Sequence, residues 1–195
     1  NIYLNVIYQR LFIRICATKS ETPTLSSITI TLDNIDAFVF DFDGVLTNNK
    51  VYVDQNGKES VICSRSDGLA FDVLRKLQKP AYILSTEKNP VVATRAKKLK
   101  IPAIQGVSNK VESIKQLASQ EMYNLQNIFY VGNDLNDYHA MQQCGYTACP
   151  ADSHKKIKSI ATIVLKTKGG NGVVRELLED VLLVDFIQVL YPKNK

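Results

Sequence analysis

The sequence has no Cys-x-x-Cys pair and no two histidines at zinc-ligand spacing, and its four cysteines (Cys16, Cys63, Cys144, Cys149) are scattered. That pattern offers neither a disulfide framework nor a zinc site, and a reducing cytoplasm is the expected compartment. No apolar run reaches membrane-spanning length; the nearest, Val181 to Leu190, is interrupted by Asp185 and Gln188 and reads as a packed terminal helix, so no membrane partner is expected. No aromatics interleave with the basic clusters at Lys97, Lys98 and Lys100 and at Lys155, Lys156 and Lys158, which argues against nucleic acid. No Lys-Ser or Lys-Thr follows Gly169-Gly170-Asn171-Gly172, so that stretch reads as a tight turn and not as a phosphate loop. Finally, no acid precedes Glu21. Residues 1–34 therefore differ from the rest and are read as a leader or upstream remnant without assigned function; Arg10 and Arg14 break any signal-peptide core, while a transit segment stays open.

What is present is ordinary in bulk. Hydrophobic content of 45% and charged content of 22% over 195 residues suit one well-cored domain, placed at 35–190 with a short tail at 191–195. The formal charge of +5, from 24 basic against 19 acidic residues, collects on helical patterns and reads as solvated helix faces, with attraction of an anionic substrate as the alternative. His139 and His154 lie in polar helical stretches and Cys63 in a strand, and none is expected to act as a ligand.

From Asp36 onward strand and helix signals alternate, which predicts a doubly wound, Rossmann-like α/β fold with a parallel sheet. Strands are expected at Ala37 to Phe40, Ala81 to Leu84, near Ala103-Ile104, Ile128 to Val131 and near Ile163-Val164. Helices are expected around Leu69 to Leu77, after an Asn89 cap, after a Ser108 cap, from Leu135 to Cys144 and from Val173 to Leu190. Asn56-Gly57, between Val51 to Val53 and Ser60 to Cys63, signals a small β-hairpin near 50–63.

The stretch Phe38-Val-Phe-Asp-Phe-Asp-Gly-Val-Leu-Thr47 runs a buried strand into two carboxylates and a glycine. Asp41 falls at the strand's carboxyl end, where open α/β sheets place their ligands. Ser85, Lys110 and the group Asn133, Asp134 and Asp137 fall at corresponding ends of other strands, so a parallel sheet would gather them on one edge. The chemistry that wants this set is phosphoryl transfer. Asp41 would attack phosphorus, and Asp43, two residues along, would protonate the leaving oxygen and later activate water. Ser85 would hold phosphoryl oxygens, Lys110 would supply countercharge, and the Asn133-Asp134 loop would complete the oxygen shell of a Mg²⁺ ion.

"DFDGVLT", "ILST", "QGVSNK" and "VGNDLND" resemble, in order and spacing, the four motifs of the haloacid dehalogenase-like phosphatases. "VICSRSDGL" and "KGGNGVVREL" are similar to the 3-deoxy-D-manno-octulosonate 8-phosphate phosphatase group, above all to the phosphatase-like domain at the carboxyl end of many acylneuraminate cytidylyltransferases. The resemblance spans roughly residues 35–190 and implies a Mg²⁺-dependent phosphatase of acidic eight- or nine-carbon sugar phosphates, capped only by the hairpin and assembled as a homotetramer. It implies Asp41 as nucleophile, Asp43 as acid/base, Ser85 and Lys110 as phosphate-binding residues, and Asp41, Asp43, Asn133 and Asp134 around the metal. It implies Gly44, Thr47, Asp67, Thr86, Glu87 and Arg175 around the substrate. For Arg175 a contact to a substrate carboxylate and a surface salt bridge fit equally well. Two departures stand out. Glu87 occupies a position where octulosonate phosphatases usually carry Arg and nonulosonate relatives often carry Glu. Asn133 replaces the usual Asp metal ligand, which keeps open an alternative as a catalytically weak assembly domain of a cytidylyltransferase. A phospho-accepting receiver module would need an Asp at the end of the third strand, where "PAIQGVSN" has none.

Overall fold

The computed structural model describes residues 30–193; most of the 1–34 leader, the last two residues of the tail, and Cys16 lie outside it. Six parallel strands form one sheet in the order β5-β4-β1-β6-β7-β8. They are β1 (Ala37–Phe40), β4 (Ala81–Leu84), β5 (Ala103–Ile104), β6 (Ile128–Val131), β7 (Tyr146–Cys149) and β8 (Ile163–Val164). The two-stranded hairpin of β2 (Tyr52–Val53) and β3 (Glu59–Ser60) stands apart from the sheet.

The central strands β1, β4 and β6 are buried on both faces, as expected of apolar runs in a parallel sheet. Alternation sends Phe38 and Phe40 to one face, where they meet α1 (Arg65–Lys76), α2 (Val91–Leu99) and α6 (Val173–Glu176). Ala37 and Val39 face the other side, against α3 (Lys110–Glu121), α4 (Tyr138–Met141) and α5 (Lys155–Lys158). Phe38 stacks on Phe129 with centroids 5.7 Å apart, and Phe40 meets Phe71 edge to face at 5.3 Å, so aromatic packing ties β1 to β6 and to α1. Among the described residues no helix is long and apolar enough to cross a membrane.

Several expectations need correction. Strand β7 has no counterpart in the sequence reading, because Thr147 breaks its apolar run; its hydroxyl accepts from Thr162 N at 2.9 Å and so is satisfied inside the sheet. The helix placed over Leu135 to Cys144 shortens to a tight turn, Leu135–Asp137, and α4. Asn109, not Ser108, caps α3: its side chain accepts from Val111 N and Glu112 N. The terminal helix does not run unbroken to Leu190. After α6 the chain makes the wider turn Leu177–Val181, reverses at Leu183 (φ 54°), and resumes as α7 (Phe186–Leu190) under an Asp185 cap. Phe186 is buried in the core with Val189 and Leu190 packed against it, while Ile187 is largely exposed, so that end packs along one face as expected. The second hairpin strand is shorter than read, and Cys63 instead makes an isolated bridge to Thr47. Cys63, Cys144 and Cys149 are free thiols.

Candidate active site

At the carboxyl end of β1 the chain turns sharply. Asp41 N–H still bonds Val131 O at 2.9 Å, which fixes the residue against β6, and its carboxylate Oδ1 accepts from Phe42 N at 2.7 Å. Gly44 adopts φ +83°, a conformation that side-chain-bearing residues disfavour, and brings the chain back to Thr47. The buried Thr47 hydroxyl accepts from Gly44 N and Asn49 N and donates to Asp43 Oδ1 at 3.3 Å, holding the second carboxylate in place. The glycine stretch predicted to be a tight turn packs beneath this loop: Gly170 N donates to Val45 O at 3.0 Å, and a Cβ on Gly169 would lie 2.2 Å from Gly44 O.

Because Asn109 caps α3, Lys110 is the first residue of that helix, and its buried ammonium reaches the floor of the site. Nζ lies 2.8 Å from Asp41 Oδ1 and 2.7 Å from Asp137 Oδ1. Asp137 is fully buried and has both oxygens filled: Oδ1 also accepts from the Tyr130 hydroxyl at 2.9 Å, and Oδ2 from Asn133 N and Asp134 N. One ammonium is thus shared by two buried carboxylates. Burial and the charge of Asp137 push Asp41 up to about 8, against the opposing pull of Lys110. Burial alone would lower Lys110, but the two carboxylates outweigh it and raise it. Asp43 is raised by burial and by the nearby Glu87 carboxylate.

A cleft of about 320 Å³ opens above this floor, lined by Asp41, Asp43, Ser85, Thr86, Asn133 and Asp134, together with Asn49, Leu135 and Asn136. Ser85 is buried at the end of β4, its Oγ accepting from Glu87 N at 3.1 Å. Glu87 stands beside the cleft, its carboxylate turned onto Lys88 N and Asn89 N. The Asn89 amide in turn donates to Glu59 at 3.0 Å, which links the hairpin to the body.

Of the expected substrate residues only Thr86 lines the cleft; Gly44 and Thr47 are buried in the loop that holds Asp43, Glu87 stands beside the cleft, and Asp67 and Arg175 are engaged elsewhere in the chain. Asp67 is buried in the first turn of α1, where Oδ1 accepts from Val174 N and Arg175 N, so it joins α1 to α6. Arg175 pairs with Glu179 one turn on and lies 4.5 Å over the Phe186 ring, which is the salt-bridge alternative of the sequence reading. The sequence reading gave no role to Asp137 and none at all to Tyr130, Asn49 or Asn136. The signal for Tyr130 was available: a tyrosine in a strand buried on both faces needs a partner for its hydroxyl.

A metal fits the cleft by its donor chemistry. Asn133 Oδ1 is buried and has no hydrogen-bond partner, an arrangement that costs about 1–3 kcal/mol unless something satisfies the oxygen. Asp41 and Asp43 line the same cleft, so carboxylate, carbonyl and amide oxygens there offer hard ligands of the kind Mg²⁺ takes. Asp134 lines the cleft too, but its Oδ1 accepts from Leu135 N at 2.7 Å and caps its own turn. Among the described residues no three His, Cys, Asp or Glu side chains are grouped to hold a metal, so Asn133 is needed to complete the set.

A family model described as haloacid dehalogenase-like hydrolase matches residues 75–177. The 3-deoxy-D-manno-octulosonate 8-phosphate phosphatase KdsC of Escherichia coli K12 is 30% identical over 162 residues, 83% of this chain and 86% of the relative. A crystal structure from Streptomyces avermitilis assigned to the HAD family superposes with TM-score 0.75 at 40% identity, covering 77% of this chain and 86% of that one. The Moraxella catarrhalis 3-deoxy-D-manno-octulosonate 8-phosphate phosphatase, solved with magnesium, phosphate and KDO, superposes with TM-score 0.73 at 25% identity, covering 80% and 87%.

Proposed function

The chain belongs to the haloacid dehalogenase-like hydrolases, and from that premise we propose that it is a Mg²⁺-dependent phosphatase that hydrolyses the phosphate monoester of an acidic eight- or nine-carbon sugar. The observation that carries this reading is the buried Asp41 on the cleft floor, its Oδ1 held by Phe42 N–H and Lys110. Those contacts leave Oδ2 to attack phosphorus.

Asp41 Oδ2 forms a bond to phosphorus as the bond to the sugar oxygen breaks, giving an aspartyl-phosphate. Asp43 gives its proton to the departing oxygen; burial and the Glu87 carboxylate shift it toward the protonated form, and Thr47 holds the carboxyl in position. Ser85 Oγ lies beside the transferred group and donates to its oxygens, while Lys110 offsets their charge. In the second half water attacks phosphorus, Asp43 takes the water's proton, and inorganic phosphate leaves with Asp41 restored. Mg²⁺, held by Asp41, the Asp43 backbone carbonyl and Asn133 Oδ1, would supply the positive charge that lets a buried Asp41 and a phosphate approach each other.

The sugar-acid substrate rests on the KdsC relatives, and Glu87 beside the cleft favours the nine-carbon acids. A homotetramer, in which neighbours cover one another's clefts, is supported by the exposed apolar side chains of the hairpin and its base, Val51, Tyr52, Val53 and Ile62. A second reading, an assembly domain of an acylneuraminate cytidylyltransferase with little activity, is favoured by one observation: an amide stands where a second acidic ligand would complete the metal set.

Phosphate release from octulosonate 8-phosphate, nonulosonate 9-phosphates and small phosphate esters tests the reading. Asp41→Asn is expected to abolish release while the chain stays folded. Failure of the starting protein to release phosphate from any of these with Mg²⁺ present would put the assembly-domain reading in its place.

A further inference from the structure

Tyr130 lies in the centre of the sheet, paired in register with Val39, and its side chain is fully buried. Its hydroxyl does not stop in the core. It donates to Asp137 Oδ1 at 2.9 Å, the same oxygen that binds Lys110 Nζ at 2.7 Å. Lys110 in turn divides itself between that oxygen and Asp41 Oδ1, at 2.8 Å. Four buried side chains therefore form one line, Tyr130 to Asp137 to Lys110 to Asp41, and only the last two take part in the chemistry proposed above.

From this geometry we infer that Tyr130 is a positioning residue for phosphoryl transfer, whose hydroxyl draws on Asp137 Oδ1 so that Lys110 is shared with Asp41 and not captured by Asp137. The inference rests on the phosphatase reading. Two donors on one carboxylate oxygen compete for the same charge, so each is held less tightly than it would be alone. In Tyr130→Phe the oxygen keeps only Lys110, and the ammonium moves toward Asp137, away from the oxygens where charge develops in the transition state. Burial and the adjacent Asp137 charge hold the phenol well above its usual range, so the hydroxyl stays a donor.

The test compares Tyr130→Phe with Tyr82→Phe. Tyr82 is also nearly buried, but its hydroxyl bonds Tyr123 at 3.0 Å, outside the cleft-lining set. Both variants lose one hydroxyl hydrogen bond and are expected to melt at lower temperature. Only Tyr130→Phe is expected to lose kcat, by about tenfold, the size of one hydrogen bond's net contribution. Its calorimetric affinity for orthovanadate should fall by a similar factor, while its Mg²⁺ affinity stays unchanged. In an Asp137→Asn background the same substitution should cost nothing further in kcat, because the charge it modulates is gone. An unchanged kcat and vanadate affinity in Tyr130→Phe overturns the inference while leaving the phosphatase reading intact. A starting protein that releases no phosphate overturns both.

Discussion

The Asn133 side chain fills the space that a Cβ on Gly44 would need: such an atom would lie 1.9 Å from Asn133 Nδ2. Gly44 is thus required twice, for its φ of +83° and for the room it leaves to the amide that faces the cleft. Gly44→Ala is expected to lower stability by about 1–3 kcal/mol from backbone strain alone. It should also loosen Mg²⁺, because Asn133 must swing away. Melting in chelator separates the first effect, and calorimetric Mg²⁺ titration the second; an unaltered Mg²⁺ affinity would show that Asn133 does not need that space.

Asp67 gives a pH signature away from the cleft. Burial lifts it to about 6, against the opposing hydrogen bonds from Arg175 N and Val174 N. Its folded value lies above the ordinary 3.8, so between roughly pH 4 and 6 the folded chain keeps a proton that the unfolded chain has lost. This contribution is fully present below pH 4 and disappears as pH rises past 6. Asp67→Asn keeps the acceptor oxygen and removes the titration. The stability difference between variant and starting protein is expected to move in the variant's favour by up to about 3 kcal/mol across that window. Urea unfolding of both chains at pH 4, 5, 6 and 7 measures it, and a difference that does not change with pH contradicts the assignment.

Arg175 is occupied within its own chain, by Glu179 and the Phe186 ring. Arg175→Ala should therefore cost about 1 kcal/mol of stability from the lost ion pair and stacking, and leave KM for a sugar phosphate unchanged. A severalfold rise in KM without loss of stability would return the residue to the substrate site.

The sheet was legible where strands are continuous and apolar, as in Ala37 to Phe40 and Ile128 to Val131, because burial on both faces leaves that pattern little other explanation. Strand β7 was not, since Thr147 satisfies its hydroxyl through Thr162, a partner 15 residues away that no local pattern announces. Within the cleft, Asp41, Asp43, Ser85 and Asn133 could be read as strand-end residues because a parallel sheet collects its carboxyl ends. Tyr130 offered only the signal of a buried hydroxyl that needs a partner, and neither that partner nor the place of Asp137 could be assigned, because which carboxylate a buried ammonium chooses depends on side-chain geometry. Arg175 shows the converse, since its neighbours Glu179 at i+4 and Phe186 already offered a local partner set.

The residue at the end of β6 that would hold the metal separates the two functional readings. Asn133 Oδ1 is buried without a partner, whereas Asp134 Oδ1 is engaged by Leu135 N and its side chain is exposed. Asn133 is therefore the residue poised to ligate, and Asn133→Ala should weaken Mg²⁺ binding more than Asp134→Asn does, by about tenfold against less than threefold. Asn133→Asp replaces an amide dipole with a full charge for a hard cation, so Mg²⁺ should tighten by about tenfold and turnover should rise if weak metal binding limits the present chain. The added charge also enters a buried cluster in which Asp41 and Asp137 already share Lys110, so without Mg²⁺ this variant should melt below the starting protein and recover on adding the ion. Calorimetric Mg²⁺ titration, phosphate release and melting with and without Mg²⁺ read the three variants independently. If Asp134→Asn proves the more damaging, Asp134 turns inward on binding and takes the ligand role; if Asn133→Asp binds Mg²⁺ tightly yet releases no phosphate, the loss of activity lies deeper than one amide.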